Sequence, residues 1–147
     1  MPTKKSSEFR LQATAILAIR HGRELADGLS TMRDVPIGDL SLSALTGLLR
    51  RLADGEVTDG RDLITLEVLQ RGLLERTASG VLGTKVEPSI IGHDEDGEMW
   101  GYVEVYVYTE RGKQAKRVLE ALENFLAVRQ RLLDQAAAAK LITRLVR

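Results

Sequence analysis

The sequence predicts a mainly α chain of the α+β class, with one small β-hairpin set between helices. Three observations carry that expectation. Apolar residues recur at three- and four-residue spacing through most of the chain, the mark of helices with one buried face. One segment, Trp100 to Tyr108, alternates with period two instead, as a strand does. Ahead of it lies an Asp96-Gly97 pair between two apolar runs, a turn signal for a hairpin. The chain has 147 residues, 44% of them hydrophobic, which is enough for one core and leaves no room for two domains.

The elements follow in order. Ser6 or Ser7 is placed to cap a first helix over residues 7–27, with Phe9, Ala13, Ile16, Leu17 and Leu25 as its apolar positions and Gly28 as its stop. Residues 1–6 are then expected as a flexible arm. Around Val35-Pro36 the proline forbids helix, so residues 31–38 read as an extended linker, or at most a short edge strand. Asp39 or Ser41 caps a second helix with Leu42, Leu45, Leu48, Leu49 and Leu52 on one stripe, ended by Ala53-Asp54-Gly55. A short turn leads to a third helix, capped by Thr58 or Asp59, that carries Leu63, Leu66, Leu69 and Leu73 or Leu74 and stops near Gly72. So short a connection requires helices two and three to pack together.

Small residues from Thr77 to Gly83 end the helical period and open the hairpin, whose tip reads His93-Asp94-Glu95-Asp96-Gly97-Glu98. On its second arm, Val103, Val105 and Val107 share one face while Trp100, Tyr102, Tyr106 and Tyr108 share the other. Those four are the only Trp and all three Tyr of the protein. Because the valines also demand burial, one face is expected to be covered by this subunit and the other by a partner. The aromatic face is read as core packed under the long helices, its hydroxyls reaching the rim, or as a dimer interface, with a ligand or nucleic-acid platform as the alternative. Thr109 caps a last helix from about residue 111 to the end, with Ala115, Val118, Leu122, Phe125 and Leu132 as its stripe and Arg129 as an interruption. Whether it breaks near Asp134 is open at the level of sequence.

Composition excludes several classes. With no cysteine there is no disulfide, no thiolate metal site and no thiol nucleophile. No phosphate loop, nucleophile elbow or His-Glu-x-x-His motif is present, so an enzyme is not expected, nor a cofactor. The acidic tip lacks the spacing of a calcium loop, and no metal is expected there. The longest apolar run near the start, Ala15 to Ile19, is too short to span a bilayer or serve as a secretory signal, so a cytoplasmic location without membrane contact is the expectation. Lys and Arg together number 21, as do Asp and Glu, and the net charge of zero gives no long-range field unless the signs are segregated in space.

The order helix, linker, helix, turn, helix, hairpin, long helix resembles a winged helix-turn-helix with its core at residues 41–110. Two segments sharpen the resemblance. Leu66-Glu67-Val68-Leu69-Gln70-Arg71-Gly72-Leu73-Leu74-Glu75-Arg76 looks like a recognition helix running through a glycine into the first wing strand. Tyr106-Val107-Tyr108-Thr109-Glu110-Arg111-Gly112-Lys113-Gln114-Ala115 is similar to the junction where the wing of PadR-like and MarR-like regulators returns and a dimerisation helix starts. The matched positions are Gly72, Leu73, Leu74 and Arg76, then Tyr108, Thr109, Glu110 and Gly112, within a likeness that covers roughly residues 41–125.

The resemblance implies a homodimer interlocked by its outer helices, residues 111–147 among them, and binding to pseudo-palindromic double-stranded DNA. On that reading Lys4, Lys5, Arg50, Arg51, Arg61 and Arg71 are the candidate DNA contacts. Phe9, Ile16, Leu122, Phe125, Leu132, Leu141 and Leu145 are the candidate self-association surface, with Arg129 pairing across it to Glu8 or Glu24. The tip departs from the family, because four carboxylates oppose a polyanion. The rival reading is therefore an interaction or assembly module, an adaptor or virion component, whose acidic hairpin and aromatic face serve a protein partner. The two are separated by whether the named cations share one face or scatter among carboxylates.

Overall fold

A computed structural model describes the backbone of residues 4–32, 41–56 and 60–146, with the side chains of residues 4–7, 42, 61 and 141–146 outside the description. The elements are α1 (Lys4–Ser30), α2 (Leu42–Ala53), α3 (Gly60–Ser79), β1 (Val81–Asp94), β2 (Gly97–Tyr108) and α4 (Glu110–Val146). This is the mainly helical α+β class with a single antiparallel hairpin.

The frame is the antiparallel pair α1 and α4. Gln114 Nε2 donates to the Thr31 carbonyl at 3.0 Å and to Thr31 Oγ1 at 2.7 Å, tying the end of α1 to the start of α4. Further along, Gly28 lies against Val118 and Gly22 against Phe125. α2 and α3 close over this pair. Leu25 and Leu29 of α1, Leu48 and Leu52 of α2, Leu66, Leu69 and Leu73 of α3, and Val118, Leu122 and Phe125 of α4 are buried together as one core. Phe125 is its largest member and is fully enclosed.

Local chemistry explains several boundaries. Ser41 caps α2 by accepting from the Ala44 N–H at 3.1 Å, and Gly55 stands just past its end at φ +80°. Thr109 Oγ1 accepts from the Gly112 N–H at 3.0 Å and so caps α4. α4 is one continuous helix from Glu110 to Val146, with Asp134 inside it accepting from Gln130 at 3.0 Å.

Other boundaries differ from the sequence expectation. α1 begins at Lys4, so neither Ser6 nor Ser7 caps it, and the expected arm is helical from Lys4 onward. Gly28 does not stop it, because that glycine serves the close approach of Val118 while the helix runs on to Ser30. Nor does Gly72 end α3, which continues seven residues further to Ser79. Leu73 is a core residue on the helix, and the buried backbone of Gly72 sits inside continuous α-helix, where its hydrogen bonds are met. The segment read as the entry into a wing strand is thus the last two turns of α3. The linker around Pro36 and the caps proposed at Asp39, Thr58 and Asp59 lie outside the described residues.

The hairpin joins this body at a single point. A Cβ on Gly80 would come within 2.5 Å of Gly112 Cα, so only glycine permits the end of α3 to touch the first turn of α4. The Thr109 N–H donates to the Gly80 carbonyl at 2.9 Å and closes the hairpin at its root. At the other end Gly97 adopts φ +120°, a conformation open to glycine and strained for other residues. No strand residue belongs to the buried core among the described residues.

Two outcomes follow. Phe125→Ala is expected to cost about 3–5 kcal/mol, because it empties the centre of the core, and chemical denaturation followed by far-UV circular dichroism measures it. Gly112→Ala is expected to cost about 1–3 kcal/mol through the backbone shift it forces at Gly80, a cost that a substitution at the open Gly83 does not share.

Candidate interaction site on the hairpin

β1 and β2 pair from Val81↔Tyr108 at the root to Asp94↔Gly97 at the tip, with irregularities between Val81 and Gly83 and between Ile90 and Gly92. Opposed residues of an antiparallel pair share a face. Trp100, Tyr102 and Tyr106 therefore stand with their partners Ile90, Pro88 and Thr84 on one side, together with Glu104 and Tyr108. Trp100 is 62% exposed, Tyr102 79% and Tyr106 65%, and Val86 and Ile90 beside them are exposed as well. The rings of Tyr106 and Tyr108 meet edge to face with centroids 6.2 Å apart. Within this face Glu104 accepts from Thr84 Oγ1 at 2.7 Å.

The opposite face does not pack on the helices either. Val103, Val105 and Val107 are half-buried, screened by Lys85 and Glu87, which pair with one another, and by Ile91, which lies over Gly101. The expectation that the aromatic face packs under the long helices as core is corrected, because the Gly80–Gly112 root holds the hairpin outside the core and leaves Trp100, Tyr102 and Tyr106 exposed.

Charge is graded along the hairpin. Asp94, Glu95, Asp96 and Glu98 crowd the tip, where Asp94 accepts from the Asp96 N–H at 2.9 Å. At the root the sign reverses. Arg76 and Arg111 line one cleft of about 260 Å³ with Ser79, Gly80, Thr109 and Gly112. Burial, and after it the charge of Arg111, hold the Arg76 guanidinium below its ordinary value. Lys116 Nζ lies 5.2 Å from the centre of the Tyr108 ring, a cation–π contact that puts this cation on the aromatic side of the sheet.

Of the cations chosen from the sequence, Arg50, Arg51 and Arg71 are described, and each stands in different surroundings. Arg51 forms a two-pronged pair with Asp62, its Nε donating at 2.8 Å to Oδ2 and its Nη2 to Oδ1, and so joins α2 to α3. Arg50 lines a different groove, between α1 and α2, and Arg71 is exposed on α3. The side chains of Lys4, Lys5 and Arg61 lie outside the described residues.

Of the residues expected at a self-association surface, Leu122 and Phe125 are corrected: both are fully buried in their own chain's core, because α1, α2 and α3 together cover that stretch of α4. Phe9 and Ile16 are exposed and Leu132 is half-buried, where α1 and α4 run on together, whereas the side chains of Leu141 and Leu145 are not described. Arg129 is nine-tenths buried within its own chain. Glu24 is engaged by Arg20 at 3.3 Å and approached by His21 Nδ1 at 3.2 Å.

The signal that sequence reasoning passed over was at the root. Arg76 and Arg111 are 35 positions apart and meet in one cleft where Gly80 and Gly112 touch, while Lys116, one turn on along α4, lies over Tyr108.

No group of three or more His, Asp or Glu among the described residues is arranged to hold a metal ion. No helix among them is long and apolar enough to cross a membrane. Comparison with protein-family models, with curated proteins and with solved structures finds no match.

The Arg51–Asp62 pair yields an asymmetric outcome. The Asp62 side chain is only 6% exposed, whereas that of Arg51 is 40% exposed. Removing Arg51 strips a buried carboxylate of a two-pronged partner, whereas removing Asp62 leaves a guanidinium that water already reaches. Arg51→Ala is therefore expected to lower the unfolding midpoint in urea more than Asp62→Ala does.

Proposed function

We propose that this chain is a non-enzymatic interaction module whose hairpin is the docking element. The observation that carries this reading is the exposed face of Trp100, Tyr102 and Tyr106 on a two-stranded sheet outside the core. An isolated two-stranded hairpin is marginal in water, and one that keeps three large aromatic rings exposed gains from a partner what its own helices do not supply. Tyr and Trp are also the side chains that contribute most area to interfaces at small cost in conformational entropy. The polar surround, with Glu104 in the face and carboxylates at the tip, matches the rim of such a surface.

A second reading, a winged-helix regulator acting as a homodimer on duplex DNA, is favoured by the order of the elements and by Arg76, Arg111 and Lys116 at the root. Against it stand the engagement of Arg51 by Asp62 and the acidic tip. Phosphate neutralisation supplies most non-specific DNA affinity, and a hairpin ending in four carboxylates works against it.

Replacing Tyr102 by a photoreactive phenylalanine analogue in cells tests the choice. The expected result is a covalent adduct to protein, mapped by mass spectrometry, that disappears when Trp100→Thr and Tyr106→Thr are introduced together. Adducts confined to nucleic acid, combined with duplex binding in vitro that weakens steeply as salt rises, would replace this reading with the regulator.

A further inference from the structure

We infer that the surface covering the aromatic face is the same face of a second copy of this chain, laid antiparallel so that the acidic tip of each hairpin rests on the basic root of the other. The inference rests on the docking role proposed above and names its partner.

Alternation puts Glu98, Trp100, Tyr102, Glu104, Tyr106 and Tyr108 on the same side of β2, and Lys116 lies over the last ring. From tip to root the face therefore reads carboxylate, aromatic stretch, cation. Glu98 and Tyr108 are ten residues apart, about 33 Å at the usual rise of a strand. A pattern that is negative at one end and positive at the other is complementary to itself after a two-fold rotation across its middle. That is the requirement of an isologous dimer interface.

Two such faces brought together antiparallel set Glu98, with Glu95 nearby in sequence, against Lys116 of the other copy, twice by symmetry. A parallel arrangement would set tip on tip and root on root and be repelled at both ends. The single carboxylate inside the face fits as well. With the two-fold axis near the middle of β2, Glu104 faces the stretch that holds Trp100 and Tyr102, where a phenolic hydroxyl and an indole N–H are available as donors. Other protein surfaces would have to reproduce this gradient to do equally well, whereas a second copy does so by construction.

The face also explains why zero net charge is no obstacle to association. The 21 cations and 21 anions cancel over the chain, but on the aromatic face of the hairpin Glu98 stands at one end and Lys116 at the other, with Glu104 the charge between them.

The test uses the full chain and two reversed variants. Glu95→Lys, Asp96→Lys and Glu98→Lys together make the tip basic, with three lysines against the one remaining carboxylate, Asp94. Lys116→Glu makes the root end of the face acidic. Sedimentation velocity over rising concentration, together with the emission of Trp100, the only tryptophan, reads association directly. The unmodified chain is expected to dimerise, with Trp100 emission moving to shorter wavelength as it does so. Each reversed variant alone is expected to associate at least about tenfold more weakly, since both ends of its own dimer then carry like charges. Mixed in equal amounts, the two should pair again, because in the heterodimer both ends are opposite in sign.

A salt series on the unmodified chain reads the same contact without any substitution. Dimerisation should weaken between roughly 50 mM and 500 mM salt, where an interface held by apolar contact alone would not. A monomeric unmodified chain, a dimer indifferent to the reversals and to salt, or a mixture that fails to pair would each overturn the inference. If the chain is monomeric but the Tyr102 cross-link reports a different protein, the docking role stands and only the identity of its partner falls. If no protein is cross-linked at all, both fall.

Discussion

The contact between Gly80 and Gly112 governs the rest of the molecule. It is backbone against backbone, with no room for a side chain on either residue, and it brings the last turn of α3 onto the first turn of α4. Both strands leave and return through this one junction, sealed by the Thr109 N–H on the Gly80 carbonyl. Because the junction is narrow, the hairpin is held at its root, and among the described residues none of its side chains enters the helical core. Because it is tight, Arg76 and Arg111 are brought into one cleft beside it although they come from two helices far apart in sequence, and Lys116 reaches the Tyr108 ring at the end of β2. The exposed aromatic face and the basic root are thus two consequences of one packing constraint.

The helical body does not depend on the hairpin in return. Its core is filled by α1, α2, α3 and α4 around Phe125, and the Arg51–Asp62 pair and the Gln114–Thr31 hydrogen bonds tie its corners. A domain that completes its core with helices can carry a sheet whose faces are free to be chosen for something other than folding. That division of labour is visible in composition. Every tyrosine and the one tryptophan lie on β2, while the core is built almost wholly of leucine, valine and alanine with one phenylalanine.

Much of this architecture was legible in the sequence because it follows from local rules. The leucines of α2 and α3, the Ser41 and Thr109 caps, the Asp96-Gly97 turn and the strict alternation of β2 each depend on residues within a few positions of one another. What sequence missed depends on distant residues. Gly28 and Gly72 read as helix stops because an isolated glycine weakens a helix, yet each is retained inside one, Gly28 against Val118 and Gly72 in the buried stretch of α3 that Leu69 and Leu73 hold in place. Leu122 and Phe125 read as an oligomer surface because their stripe runs on toward the C-terminus, but three helices converge on the part of the stripe they occupy. Arg51 read as a free cation because Asp62 lies eleven residues away across a turn. The aromatic face itself was evident from alternation alone, whereas its exposure was not, since alternation shows which residues share a side and not what covers it.

A neutral chain is usually taken to be indifferent to charged partners, and that inference fails where the charges are sorted. On the aromatic side of this hairpin the order from tip to root is carboxylate, rings, cation, so the field at each end is set by local groups rather than by the total. Such an arrangement disfavours a uniformly anionic partner, because a surface that suits the root is repelled at the tip. It equally disfavours a uniformly cationic one. What it favours is a partner of mixed sign whose order runs the other way, with an apolar middle of matching length. Selectivity then comes from the unfavourable register as much as from the favourable one, since sliding the partner by half the hairpin brings carboxylate toward carboxylate and leaves the rings facing water. The acidic tip, which is an obstacle for a wing laid on DNA, becomes in this setting the group that fixes orientation.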